Sequence, residues 1–350
     1  MPRYYTRACN FYYGNLSKSL LKKKKSLPLN GNVDISFDHI ELISRKSKKK
    51  ISINKIKDLP QIQKKQIIKD LRKITSKKKN FTNFNFTDLP NIMGILNLTP
   101  DSFSDGGKFN ERNLGIKRAF QMFELGAKVI DIGGESTRPG SKGVNANIEW
   151  KRINRTLKYV CKKIPVSLDT RKSKIMEKGL KFGIKIINDV SGLNYDLETK
   201  NILKKHKVPF VLQHSRGTPE NMQISPSYKN ELLDIYDFFE EKIKLLRSIG
   251  IKHNKIIIDP GIGFGKNLKH NMNLISNISI FHSLGFPILV GNSRKKFIKE
   301  LSGKNDTNTR TGGTVASSLY LMMQGVQIIR VHEVNEIIQG IKVFKELIKK

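Results

Sequence analysis

Asp169, Asn188 and Asp259 are acceptor-bearing side chains set on short apolar runs: PVSLDT (165–170), KIINDVS (185–191) and KIIIDPG (255–261). A carboxylate flanked by Ile256, Ile257, Ile258 and Pro260 has few solvated options. Such a group either caps the next helix or pairs with a lysine, or it binds a ligand. One carboxylate can accept two parallel N–H donors from the amino-amidine edge of a flat heterocycle, as it does from arginine. A second constellation is cationic, with Ser293-Arg294-Lys295 after one apolar run and Arg330-Val331-His332 after another. Strand alternation puts Arg330 and His332 on the same side. Two such groups suit a diphosphate; a merely basic surface is the alternative, and it weighs most on Arg294 and Lys296.

Three loops complete the inventory. Asn97-Leu98-Thr99-Pro100-Asp101-Ser102-Phe103-Ser104-Asp105-Gly106-Gly107 is long and polar, with the character of a lid. Asn97 at its root could give a hard oxygen to Mg²⁺. In Gly133-Gly134-Glu135-Ser136-Thr137-Arg138-Pro139-Gly140-Ser141, small residues admit a ligand to the backbone, and Arg138 with the hydroxyls suits an anion. GIGFGK (261–266) lacks the G-x-x-x-x-G-K-[ST] spacing of a phosphate loop, and its glycines read as a turn that lets Phe264 line a pocket.

These residues need elements to hold them. Eight apolar runs alternate with amphipathic stretches from residue 91 onward: 92–99, 128–136, 165–170, 185–191, 209–214, 255–261, 287–293 and 326–332. Strand–helix alternation implies right-handed crossovers and a parallel sheet. Each run ends on a polar residue: Asn97, Glu135, Asp169, Asn188, His214, Asp259, Ser293 and the pair Arg330/His332. In an open sheet these ends would spread along an edge. In a TIM barrel all eight converge on one catalytic face. The expected fold is therefore an α/β TIM (β/α)8 barrel with a short basic N-terminal extension.

Lys and Arg number 65 against 30 Asp and Glu, a formal charge of +35. Residues 1–90 carry 22 of the cations and 6 of the acids. That charge raises nucleic-acid binding, but no recognition motif accompanies it, and a lysine-rich solvated surface is the reading preferred. A positive field would still attract an anionic substrate. The two cysteines, Cys9 and Cys161, form no C-x-x-C pair. No apolar run approaches the roughly 20 residues of a membrane span, and a cytoplasmic setting is expected. The division expected is 1–90, extension and linker of unknown role, and 91–350, barrel. Within the extension, 34–46 and 48–53 read as strands of a hairpin, and 62–74 as a helix with apolar positions at Ile62, Ile67, Ile68, Leu71 and Ile74. Residues 77–90 read as a polar linker.

Taken together, residues 91–350 resemble the dihydropteroate synthase family of pterin-binding enzymes. Two long signatures carry the resemblance: Ile92 to Asn97 through Phe103-Ser104-Asp105-Gly106-Gly107, and Gly126 through Glu135-Ser136-Thr137-Arg138-Pro139-Gly140. The segments Asp259-Pro260-Gly261, Ser293-Arg294-Lys295 and Arg330-Val331-His332 follow in the family's order. The resemblance implies a transferase of folate biosynthesis that joins a pterin pyrophosphate to 4-aminobenzoate, uses Mg²⁺ and forms a homodimer. It implies that Asn97 serves the metal–pyrophosphate site. It implies pterin contacts for Thr137, Asp169, Asn188, Asp259 and Lys295, and a place at the pterin face and pyrophosphate for Arg330 and His332. Phe103, Arg138, Pro139 and Lys296 fall near the aminobenzoate site. The chain departs from the family where M-H-M is common, reading Gln213-His214-Ser215, and where Lys296 replaces a frequent Ser. A pterin-dependent methyltransferase, sharing the barrel, is the nearest enzymatic rival. No nucleic-acid or membrane partner is expected.

Overall fold

The computed structural model describes residues 3–99, 113–138, 140–303 and 305–349. The extension is an ordered αβ unit built from β1 (Tyr5–Tyr13), α1 (Gly14–Lys22), β2 (Leu27–Leu29), β3 (Asn32–Ile43), β4 (Lys48–Ser52) and α2 (Gln61–Thr75). The long β3 pairs antiparallel with β1 on one side and with both β2 and β4 on the other. The expected hairpin is β3–β4, and the expected helix is α2. Helix α2 buries Ile67 and Ile74 against Phe37, Ile40 and Leu42 of the sheet, giving the unit its own small core. Ile62 and Ile68, expected on that apolar face, are exposed instead. The buried polar position on the helix is Asp70, which accepts from Thr6 Oγ1 at 2.8 Å.

This unit is docked on the barrel. Tyr5 belongs to the main core and meets Tyr236 edge-on at 5.1 Å. Its hydroxyl donates to Asp237 at 2.8 Å, and Arg45 pairs with Asp234 and Asp237. Ser279 Oγ donates to the Ala8 carbonyl at 2.9 Å, and Tyr13 OH to that of Met323 at 2.8 Å. Residues 77–90 are not the polar linker that their composition suggests. Phe84, Phe86 and Leu89 are buried and pack into the base of the barrel.

The barrel strands are β5 (Asn91–Asn97), β6 (Val129–Gly133), β7 (Val166–Asp169), β8 (Ile186–Asp189), β9 (Phe210–Gln213), β10 (Ile256–Asp259), β11 (Leu289–Val290) and β12 (Ile328–Val331). Helices α3 (Leu114–Glu124), α4 (Ala146–Val160), α5 (Ser173–Lys181), α6 (Thr199–His206), α7 (Glu231–Ser248), α8 (Leu268–Ser276), α9 (Lys296–Ser302), α10 (Thr311–Met323) and α11 (Val334–Ile348) connect them. All eight barrel strands are parallel in the order β10-β9-β8-β7-β6-β5-β12-β11, and an Ile258–Ile288 bridge closes the ring. Each expected run supplies one strand.

Alternation sorts the strand residues into two sets. Ile130, Ile132, Leu168, Ile187, Phe210, Leu212, Ile256, Ile258, Ile329 and Val331 face outward into the main core with the helices. Met93, Val129, Ile186, Val211, Ile257, Leu289 and Ile328 face inward and form one cluster with Phe84 and Phe86. Packed inward layers of this kind fill a TIM barrel.

Candidate active site

Two residues up each strand from that apolar layer, the interior becomes polar. The eight inward positions are Ile95, Asp131, Asp169, Asn188, Gln213, Asp259, Gly291 and Arg330. The polar six are buried or nearly so; Asp169, Gln213 and Asp259 end their strands, Asn188 and Arg330 lie one residue short of the end, and Asp131 is at the middle of β6.

Arg330 organises one half of this layer. Its Nε donates to Asp131 Oδ2 and its Nη2 to Asp169 Oδ2, each at 2.6 Å. Asn188 Nδ2 donates to the same Asp131 oxygen at 2.9 Å. Burial pushes Asp169 above the ordinary carboxylate range, the Arg330 charge opposes it, and the neighbouring Asp131, Glu149 and Glu135 add to it. The layer nevertheless keeps unspent hydrogen-bonding capacity. Asp131 Oδ1, Asn188 Oδ1 and Gln213 Nε2 are buried without a partner. Buried polar atoms in native proteins are normally paired, so an orphaned cluster at a strand-end face points to a ligand.

Asp259 forms the other half. Its Oδ1 accepts from the Gly261 N–H at 2.8 Å, a bond that the positive φ of Gly261 (66°) allows. Burial raises its pKa to about 6, against the backbone bond and the charges of Lys295 and Arg330. Lys295 Nζ lies 4.2 Å from the centre of the Phe264 ring, and burial with the charge of Arg330 lowers its pKa to about 8. Beneath this loop, fully buried Lys266 donates to His214 Nδ1 (3.0 Å) and to the carbonyls of Gly261 (2.9 Å) and Phe264 (2.8 Å). Those three bonds pin the 261–266 turn, so that Phe264 walls a cavity of about 260 Å³ with Val190, Ser215 and Arg171.

The third group surrounds His332. Glu333 pairs with the Arg294 guanidinium through Oε1 and accepts from Ser293 Oγ through Oε2 at 2.8 Å. With its hydrogen committed, Ser293 can only accept from His332 Nδ1, 2.8 Å away. The imidazole is thus the Nδ1–H tautomer. Burial, together with Arg294, Arg330, Lys295 and Arg138, holds its pKa well below the usual value. With Nδ1 carrying the hydrogen, His332 Nε2 is an acceptor, and it becomes a donor on taking up a proton. Arg294 itself has φ 58°, a strained conformation for a side-chain-bearing residue at a functional loop.

The structure brings Asp169, Asn188, Asp259, Lys295, Phe264, Arg330 and His332 to one mouth. Asn97 ends β5 beside them: a Cβ built on Gly133 would meet Asn97 Oδ1 at 3.5 Å and Asp169 Cβ at 3.3 Å. Thr137 is half-buried and Arg138 exposed on the loop after β6. Phe103 and Pro139, expected near an aminobenzoate, lie outside the described residues. Lys296 is turned along α9, paired with Glu300 at 3.1 Å. Two polar strand ends have structural work. Glu135 binds Arg171 (2.8 Å) and Lys172 (2.9 Å), and Lys172 reaches Glu149 (2.6 Å), tying the loops after β6 and β7 together. His214 receives Lys266. Asp131 and Gln213 were missed in the sequence, although counting two residues on from Val129 and Val211 finds both. No cluster of three or more His, Cys, Asp or Glu able to hold a metal occurs among the described residues, and none of their helices is long and apolar enough to cross a membrane.

Similarity to known proteins agrees with this architecture. The family described as "Pterin binding enzyme" matches residues 93–332. A dihydropteroate synthase of Neisseria meningitidis serogroup C is 39% identical over 264 residues, covering 74% of this chain and 93% of the relative. The Yersinia pestis dihydropteroate synthase, solved with a sulfonamide drug complex, superposes with a TM-score of 0.70 at 39% identity, covering 74% of this chain and 94% of that one. The Xanthomonas albilineans enzyme, solved with 4-aminobenzoic acid, gives 0.69 at 34% identity over 74% and 93% of the two chains. The chain belongs to the pterin binding enzyme family, and within it to the dihydropteroate synthases. It is accordingly a transferase of folate biosynthesis.

Proposed function

We propose that the polar layer is the seat at which this dihydropteroate synthase holds (7,8-dihydropterin-6-yl)methyl diphosphate while 4-aminobenzoate displaces its pyrophosphate. The observation that carries this reading is the pairing of orphaned acceptors, Asp131 Oδ1 and Asn188 Oδ1, with the strand-end carboxylate of Asp259. A dihydropterin is a flat ring rich in N–H donors, and it complements such a seat. Asp259 accepts from the amino-amidine edge. Asp169 and Asn188 serve the opposite edge. Lys295 stands over Phe264, where the ring's own acceptors would come.

The aromatic amine nitrogen forms a bond to the exocyclic methylene as the methylene–oxygen bond breaks and the electron pair leaves on pyrophosphate. The electron-rich dihydropterin stabilises positive charge developing on that carbon, so the leaving group needs the most help. Arg330, with Nε and Nη2 committed to carboxylates, presents its remaining edge. The negative charge of the diphosphate beside His332 favours its protonation at Nε2 by solvent, and the imidazolium would donate to the departing anion. Asn97 offers one hard oxygen and so fits Mg²⁺ held chiefly by diphosphate oxygens and water. Bound there, the ion would neutralise charge on the leaving group. Thr137 and Arg138 stand on the loop assigned to substrate contact, with Arg138 on the aminobenzoate side, and the resemblance adds Phe103 and Pro139 there. The anilinium formed loses its proton to water. The same reading carries a homodimer, a cytoplasmic setting and a division into extension and barrel at residue 90, with the extension as a structural appendage.

The test is release of pyrophosphate from the pterin substrate by the full chain. It is expected only when 4-aminobenzoate and Mg²⁺ are both present. Release that ignores 4-aminobenzoate, or none at all from folded protein, contradicts the reading.

A further inference from the structure

The docked extension leaves a cavity of about 670 Å³ at its seam with the barrel. Three parts of the chain enclose it: the β1–α1 junction with the start of β3, the segment 87–89, and the end of α11 beside the turn after α10. Leu89 leads into β5 and Gly325 into β12, so the cavity lies at the amino-terminal end of the barrel, away from the mouth that holds Asp259 and Arg330. Of its walls, only Met322 and Gly325 fall within residues 93–332, the span shared with the pterin binding family.

The floor of the cavity is apolar. Tyr13, Ile35, Leu89, Met322 and Ile348 supply it, and the Tyr13 hydroxyl is already spent on the Met323 carbonyl. The rim is cationic. Lys342, Lys345 and Lys349 follow one face of α11 and its C-terminal cap, and Lys18 joins them from α1. Lys18 pairs with Asp34 at 2.9 Å, Lys345 with Asp88 at 2.5 Å, and Lys349 with Glu346. Those carboxylates are 58%, 73% and 70% exposed, respectively. Ion pairs so exposed hold weakly, and an incoming anion can take over the ammonium groups. Lys342 has no acidic partner among the described residues. Four ammonium groups against three carboxylates leave the rim with a positive charge in excess.

An apolar floor left in water is unfavourable. A cavity of this size matches a small-molecule site, and seams between structural units are where such sites occur. We propose that this seam binds a small amphipathic carboxylate, with its apolar tail on the floor between Tyr13 and Met322 and its anionic end between Lys342 and Lys345. The tail touches extension and barrel at once. Only the docked arrangement offers the site, so occupancy strengthens docking by mass action. None of this depends on the pterin reading of the barrel mouth.

The experiment uses the full chain, with decanoate as the probe and 1-decanol as its uncharged counterpart. 4-Aminobenzoate and pyrophosphate are present throughout, to fill the barrel mouth. Titration calorimetry is expected to show saturable binding of decanoate, with decanol at least about tenfold weaker. The melting temperature should rise with decanoate concentration. Lys342→Glu sets a like charge against the carboxylate and should weaken decanoate by about tenfold while leaving decanol unchanged. Ile348→Trp fills the cavity from a half-buried position at the end of α11 and should abolish binding of both probes. Pyrophosphate release by either variant without decanoate should match wild type, since neither side chain reaches the barrel mouth. Absence of saturable decanoate binding, equal affinity for decanol, or wild-type decanoate affinity in either variant overturns the proposal.

Discussion

The two inward layers of the barrel come from the same strands, two residues apart, and are built on opposite principles. Below, Met93, Val129, Ile186, Val211, Ile257, Leu289 and Ile328 fill the space with apolar volume, stoppered by Phe84 and Phe86. Above, Asp131, Asp169, Asn188, Gln213, Asp259 and Arg330 enclose charge and orphaned polar atoms. The lower layer stabilises the fold by close packing. The upper one holds desolvated carboxylates, and burial raises the pKa of Asp259 to about 6, a sign that ionising it opposes folding. A stable floor carries an unstable site, which is how a rigid scaffold positions groups that would not choose to be together.

The largest effects should come from removing a charge that neutralises the upper layer or a ring that closes the lower. Arg330→Ala leaves Asp131 and Asp169 buried and facing one another. Breaking a buried pair from one side costs on the order of 3–5 kcal/mol, so denaturant melts should show a large loss and turnover should vanish. A melt like that of wild type would mean that the carboxylates are solvated. Phe86→Ala opens a cavity in the floor and should cost about 3–5 kcal/mol of stability, while pterin affinity of the folded protein changes little. A chain starting at residue 91 loses both phenylalanines and the docked extension together, and it should be less stable still. A chain starting at residue 77 keeps the stopper and tests the extension alone.

Moderate effects follow from pH. Asp259 must be ionised to accept two donors, so dihydropterin affinity should fall as pH drops through about 6, by about tenfold per unit once below it. Lys295 loses its charge as pH rises through about 8, weakening the hold on an anionic substrate there. Affinity for the pyrophosphate ester should be greatest between these limits, and flat binding from pH 5 to 9 would contradict both assignments. The smallest effect should be at the extension's rim. Arg45 is 44% exposed, and Arg45→Ala should shift stability by no more than about 1 kcal/mol, less at high salt.

What the sequence disclosed followed from how plainly each feature is written. Strands show as apolar runs and their ends as polar stops, so Asp169, Asn188, Asp259 and Arg330 could be named in advance. Asp131 was hidden between Ile130 and Ile132, because a polar residue inside a run looks like an interruption. Gln213 is overshadowed by the neighbouring His214, whose ring serves Lys266. Glu135 looked like a site residue, but its partners Arg171 and Lys172 stand some 36 residues on, and nothing local reveals the pairing. Phe84 and Phe86 sit among Asn and Thr with no helical or strand period, so composition alone made a stopper look like a linker. The tautomer of His332 depends on Ser293 and Glu333 together, a three-body relation that only coordinates display.

The central claim is that Asp259 is held at the mouth for a ligand and not for the fold. Asp259→Asn keeps the shape and the Gly261 N–H bond but presents one acceptor and one donor to the amidine edge. Losing a charge-assisted bond and stranding a buried donor should cost about 2–4 kcal/mol, or about 30- to 1,000-fold in affinity. Because the folded pKa of Asp259 is raised, its carboxylate opposes folding increasingly as pH climbs from its unfolded value to about 6. At pH 7 the variant should therefore melt no lower than wild type. Calorimetric titration of the pterin substrate into both proteins, beside their thermal melts, measures the two quantities together. Weakened binding with an equal or higher melting temperature is the result this account predicts. Unaltered pterin affinity in a well-folded Asp259→Asn protein would contradict it.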